Sequence, residues 1–194
     1  YIEGQGNTAI MGTGFHIYGS NNTVTQSSNL FADGDGAVGL RNDGSGNTIT
    51  IADGSKITAN GLYGTGIMMA YGMNNNLTLA SGSSVSAKGS KGIGVRFDFG
   101  HNSLGDKTEY RGSYIWTYDG ETRTLGNTNY ISGGYALDNC GAMVDTFDVY
   151  GSIFGKAYSI YISENALVNN ININDGAAIS GTILSDWDPN DERI

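Results

Sequence analysis

Short runs of alternating apolar and polar residues, parted by glycine or asparagine turns, recur along this chain. Residues 47–59 (NTITIADGSKITA) are answered by 75–87 (NNLTLASGSSVSA) and again by 169–181 (NNININDGAAISG). In each block a pair of alternating aliphatics leads to a glycine-centred turn and a further aliphatic. Ile49 and Ile57, Leu77 and Val85, and Ile171 and Ile179 are each eight residues apart. A degenerate earlier copy joins Asn22–Thr25 to Asn29–Ala32. A third element follows each pair: Gly36–Leu40, Gly66–Ala70 and Gly92–Phe97, spaced by 30 and then 26 residues, with Tyr158–Ile162 as a late copy. Each unit predicts three short strands in about 22–30 residues.

Strand side chains alternate, so Ile49 and Ile51 share one face and Thr48 and Thr50 the other. One unit cannot bury its aliphatics alone, whereas units stacked with like strands in parallel enclose a continuous apolar column. The predicted fold is therefore all-β, a parallel β-helix, with right-handed winding as the default for parallel crossovers. A hexapeptide solenoid would need a six-residue aliphatic period, which these rows lack. Dense glycine and β-branched residues leave no long helical window. The Asn runs at 21–22, 74–76 and 169–170 fall at equivalent turns, where stacked side chains can hydrogen-bond along the axis.

The repeat breaks between Phe99 and about Met143. Residues 111–118, Asp119-Gly120 and residues 121–124 read as a strand, a tight turn and a returning strand. The expected organisation is one β-helix over 1–194, a segment of a longer chain, with a hairpin-bearing insertion at 100–143. Without the insertion five to six coils remain, a rod about 25–30 Å long at about 4.8 Å per strand. Terminal coils left exposed when the native flanks are missing invite end-to-end contact.

Composition narrows the function. Of 194 residues 31 are glycine and 1 is proline; 39 % are hydrophobic, enough for a core, and only 15 % are charged. A net charge of −9 makes nucleic acid and anionic lipid poor partners. The single cysteine, Cys140, excludes an internal disulfide framework and any cysteine-cluster zinc site, and reads as a small buried hydrophobe. No apolar run reaches the length of a membrane-spanning helix, and Tyr1–Asn7 carry no signal-peptide pattern.

The blocks GNTITIADGS (46–55), GIGVRFDFG (92–100) and ISGTILSDW (179–187) resemble bacterial autotransporter passenger domains. The closest resemblance is to passengers lying between a subtilisin-like protease domain and an outer-membrane barrel. That likeness implies a right-handed parallel β-helix displayed at, or released from, a Gram-negative cell surface. It also implies as partners the neighbouring protease domain and C-terminal β-barrel of a parent chain. The sequence departs from a protease itself. The only proline, Pro189, has no subtilase nucleophile motif before it, and no Gly-x-Ser-x-Gly elbow occurs.

Candidate sites are few. His16 alternates with Phe15 and Ile17, which sets it on the solvent face of a strand, and catalysis there would also need a nucleophile and an orienting acid. His101 opens the insertion near Arg96 and Asp98, whose i, i+2 spacing reads as a surface ion pair. Asp33 and Asp35, or Asp186 and Asp188, could offer carboxylates to calcium, but the EF-hand glycine and twelfth-position ligand are missing, and polar turns explain both more simply. Asp33, Asp35, Asp43 and Asp53 could supply a glycosidase pair only if stacking brought two together. A polyuronate lyase would need a basic cleft that ten scattered Lys and Arg do not outline. Tyr110, Tyr114, Trp116 and Tyr118 are evenly spaced, one face of a strand able to stack a sugar or anchor a host protein, or simply to cover the solenoid flank.

The expectation is a non-catalytic stalk or passenger segment, with no metal and no cofactor. It would space an effector domain from the membrane and assist secretion by folding coil by coil. The alternatives are an adhesin using the aromatic insertion and, behind it, a polysaccharide-active enzyme.

Overall fold

The computed structural model describes residues 12–98, 142–163 and 166–187, with the backbone of four short strands between 101 and 124. Among the described residues every regular element is a strand, and no helix is long and apolar enough to cross a membrane. Alternation is the cause: the burial of Asn75–Leu79 switches at every residue, as period-two side chains on a half-buried strand require.

The first coil holds β1 (Thr13–Tyr18), β2 (Thr23–Gln26) and β3 (Leu30–Phe31). The second holds β4 (Val38–Asp43), β5 (Thr48–Ile51) and β6 (Lys56–Thr58). The third holds β7 (Thr65–Tyr71), β8 (Asn75–Leu79) and β9 (Ser84–Ala87). β10 (Ile93–Phe97) opens the fourth and is followed by β11 (His101–Leu104), β12 (Lys107–Tyr110), β13 (Ile115–Tyr118) and β14 (Glu121–Thr124). The coils resume with β15 (Val144–Val149) and β16 (Ser152–Ile162), then β17 (Val168–Ile173) and β18 (Ala178–Ser185).

Like strands stack on like strands, all in parallel. β2, β5, β8, β15 and β17 build one sheet; β1, β4, β7 and β10 lead to β16, which also receives β9, β6 and β3, with β18 beside it. The chain is thus a parallel β-solenoid of about five turns, as the repeat predicted. Three apolar columns run through it. Val24, Ile49, Leu77, Phe147 and Ile171 are register partners, as are Leu30, Ile57, Val85, Ile153 and Ile179. The third column is Phe15, Leu40, Ile67, Val95 and Ile160. All three meet in one core cluster. Each fully buried aliphatic there contributes about 1.5–3 kcal/mol, and none is buried without the coil above or below.

The turns explain their residues. Ser55, Ser83 and Ala177 donate backbone N–H to the carbonyls of Ala52, Ala80 and Asn174, each at 3.1 Å. The third residue of each turn is Gly54, Gly82 or Gly176, with φ of 73°, 76° and 85°, the left-handed position that a type II turn reserves for glycine. The asparagine ladder also forms, centred on Asn47. Its Oδ1 accepts from the backbone N–H of Asn22 at 2.8 Å, and its own N–H donates to Asn75 Oδ1 at 3.0 Å. Asn75 Nδ2 continues to Met143 O at 3.0 Å. In the last coil the ladder changes partner, because Asn169 and Asn172 donate to the carboxylates of Asp145 and Asp148.

Two features differ from the expected pattern. The glycines that open the third elements, Gly36, Gly66 and Gly92, do not stack. The register instead aligns Gly39, Gly66 and Gly94, where a Cβ would fall 2.4, 2.3 and 2.6 Å from Ile57, Val85 and Ile153. This glycine column makes room for the aliphatics of the facing strand. Secondly, β16 is one strand of 11 residues where earlier coils use two. Its register shifts between Phe154, Tyr158 and Ile160 absorb the corner without a loop.

β11 to β14 form a separate antiparallel sheet in sequence order, and the hairpin read around Asp119-Gly120 pairs Ile115 with Thr124 and Tyr118 with Glu121. The solenoid resumes where a short turn runs in the coil above: Asn74 donates its N–H to Ala142 O at 2.9 Å.

Candidate functional site

Polar chemistry gathers on the outer face of the sheet that contains β4, β7 and β10. Ile67 and Met69 point into the core, so Met68 and Ala70 between them point away from it. Parallel register places His16, Arg41, Met68, Arg96, Tyr161 and Leu184 in one column along the axis. Two residues further along their strands stand Asp43 and Asp98, each beside the arginine of its own coil.

The face is buried at its middle and open at its ends. Arg41, Asp43 and Met68 are 1 %, 4 % and 0 % exposed, while Tyr18 is 71 % exposed in the first coil and Asp186 is exposed in the last. Val38, Met68 and Ala70 make a small apolar cluster of their own, apart from the main core. The middle of this outer face is therefore dry, and its charges are paired. Arg41 Nε donates to Asp43 Oδ2 at 2.9 Å, and the Nε2 of His16 meets the same oxygen. Two coils on, Arg96 repeats the arrangement: its Nε donates to Asp98 Oδ2 at 2.9 Å and its Nη2 to the same oxygen at 2.5 Å.

Tyrosines stand toward the far end. The Tyr158 and Tyr161 rings stack 5.5 Å apart, and the Arg96 guanidinium lies 5.9 Å from the Tyr161 ring centre. Burial, then the carboxylates of Asp98 and Asp186, push the Tyr161 phenol above its ordinary value, and Arg96 opposes them.

These positions amend the sequence reading. Arg96 and Asp98 do pair, but as a buried latch rather than a surface ion pair, because their strand face is covered. His16 lies on the outer face as expected and gains an acid, Asp43, from the next coil. Among the described residues Asp43 is its hydrogen-bond partner, an acid that could orient the imidazole. Asp43 and Asp98 stand two rungs apart, about 10 Å, but a saccharide cannot reach two ion-paired carboxylates held out of water.

Asp33, Asp35 and Asp53 lie on other turns, away from Asp43. The carboxylates of Asp33 and Asp35 accept the backbone N–H groups of Asn60 and Leu62 in the next coil, each at 3.0 Å. They stitch coils together. Among the described residues no three acidic, histidine or cysteine side chains converge on a point that could hold a metal.

Of the aromatic row, Tyr110 ends β12 and pairs with Ile115, while Trp116 and Tyr118 belong to β13, so these stand on neighbouring strands rather than one. Tyr114, Cys140 and Asp188 lie outside the described residues, and of His101 only the strand is described. Sequence reasoning missed Arg41, Asp43, Met68 and Tyr161 as members of one face. The available signal was the Arg-x-Asp spacing, present at both 41–43 and 96–98.

Compared with known proteins, the chain matches no family model, no curated protein and no solved structure.

Proposed function

We propose that this chain is a non-catalytic stalk segment, the β-helical passenger of an autotransporter-like protein. It acts at, or is released from, a Gram-negative cell surface. In this reading the rod spaces and presents a neighbouring effector domain, such as a protease, and an outer-membrane barrel anchors the parent chain. Secretion is assisted because each coil that folds outside buries its aliphatics on the one before it and draws further chain outward.

The observation that carries the reading is the unbroken column Ile49, Leu77 and Phe147, each fully buried against its neighbours in the coils on either side. Such a core has no natural length limit, which suits a spacer, and it propagates in one dimension. The polar face supports a mechanical role too, since its charges are consumed in latches between and within coils. The test places the chain between a folded reporter and a barrel anchor in a Gram-negative host. Reporter should reach the surface, and Leu77→Asp should cut display by about tenfold while total reporter stays constant. Equal display by the two would contradict the stalk reading.

A second reading has one observation in its favour. β11 to β14 pair only with one another among the described strands, as an element specialised for binding would. An adhesin using Tyr110, Tyr114, Trp116 and Tyr118 would bind a host protein or glycan, and Trp116→Ala with Tyr118→Ala would abolish that binding while leaving display intact.

A further inference from the structure

The coils, residues 12–98, 142–163 and 166–187, hold six Lys and Arg, and these divide in two. Arg41 and Arg96 are buried and paired with Asp43 and Asp98. Lys56, Lys88, Lys91 and Lys156 are exposed, and none of them forms an ion pair among the described residues. On a chain of net charge −9 these four cations stand together.

Stacking brings them there. Lys56 opens β6 and shares an outward-facing row with Ser84 of β9 and Ser152 of β16. Two residues further along the same strands are Thr58, Ser86 and the half-buried ring of Phe154. Ala87 then pairs with Gly155, so Lys88 and Lys156 follow one rung apart, about 5 Å. Lys91 sits at the same corner, beside Gly92, whose carbonyl accepts the N–H of Ala157 at 2.8 Å. It holds a φ of 62°, so the backbone bears strain to carry a side chain there. Lys56, in the row of Ser84, stands about 13 Å back along the strands from this group. No Asp or Glu occurs in β6, β9, β16 or β18. At the corner the acids belong to the first coil, where Asp33 and Asp35 are bound to backbone N–H groups of the second.

We propose that this face and its corner bind an acidic polysaccharide, a linear glycan bearing carboxylate or sulfate groups. The lysines supply ammonium donors for the anions, and the serine and threonine hydroxyls can bond to sugar hydroxyls. Phe154 offers a ring for the apolar face of a sugar. A single flexible strand can follow this short band of cations while the acidic remainder of the molecule stays clear of it. A nucleic acid duplex or an anionic bilayer would bring its charge against that remainder as well. The site stands apart from the aromatic insertion and does not depend on the stalk reading.

Affinity measurements on the 194-residue chain test this with heparin, which carries sulfate and carboxylate, and polygalacturonate, which carries carboxylate alone. The expected result is saturable binding to heparin that weakens at least about tenfold as salt rises from about 50 to about 200 mM. Binding of polygalacturonate as well would assign carboxylate as a sufficient anion, and its absence would assign sulfate. Lys88→Gln with Lys156→Gln should weaken heparin binding at least about fivefold with the circular dichroism spectrum unchanged. Thr25→Glu with Thr48→Glu lowers the net charge equally at positions of another sheet, and should alter binding less than about twofold. No binding to heparin, equal losses in the two variants, or equal affinity for neutral dextran, duplex DNA or phosphatidylserine vesicles would each overturn the proposal.

Discussion

Phe97 and Phe147 meet edge to face inside the solenoid, with ring centroids 5.4 Å apart and planes at 62°. They belong to β10 and β15, the strands on either side of the break in the repeat, and to two different sheets. The contact ties the coil together across the insertion point. Replacing either ring by leucine should destabilise the fold, and a double-mutant cycle read by denaturant melts should return a coupling of about 0.5–1.5 kcal/mol. Additive losses would mean the rings do not touch.

The Arg96–Asp98 latch makes a different forecast. Arg96→Met leaves a buried carboxylate without its guanidinium, and the expected loss is about 3 kcal/mol in chemical unfolding. Arg96→Met combined with Asp98→Leu removes both charges and should recover most of that loss. A surface pair would show less than about 1 kcal/mol for the single change.

Backbone geometry predicts substitutions of opposite sign. Gly66→Ala puts a methyl 2.3 Å from Val85 Cγ1 and 2.6 Å from the Gly94 carbonyl oxygen, and should lower stability by about 2–3 kcal/mol. Lys91 is exposed and holds a φ of 62°, a left-handed conformation that glycine adopts without strain. Lys91→Gly should therefore raise stability, by about 0.5–1 kcal/mol in the same melts.

Alkaline pH should expose Tyr161. Burial and two carboxylates raise its folded value above the unfolded 10.0, so the folded chain keeps a proton that the unfolded chain has already released. Stability from the neutral phenol is complete below about pH 10 and is lost as pH rises through the folded value. Melts from about pH 9 upward should show this decline, and Tyr161→Phe should make it shallower. An identical slope in the variant would assign the decline to other groups.

The columns were legible because each uses a local signal. Ile49 and Ile57, or Leu77 and Val85, repeat at one spacing around one glycine turn, and period-two alternation assigns their faces. The outer face was not legible in the same way. His16 finds Asp43, and Arg96 meets Tyr161, only through inter-coil register, which the unequal coil lengths and the insertion shift. The glycine column was misaligned for that reason: Gly36 and Gly92 look equivalent to Gly66 by sequence, but Gly39 and Gly94 occupy its register. Burial of Arg96 and Asp98 was hidden as well, since alternation tells inside from outside but not whether the outside is covered.

The central claim is that successive coils lie parallel and in register, and an engineered cross-link reads it directly. Thr50 and Thr78 are partners on neighbouring strands. With Cys140 replaced by serine, cysteines at 50 and 78 should form an intramolecular disulfide nearly to completion on mild oxidation. A control pair at 48 and 78, out of register, should stay largely reduced. A disulfide in the control pair, or none between 50 and 78, would contradict the stacked-coil account.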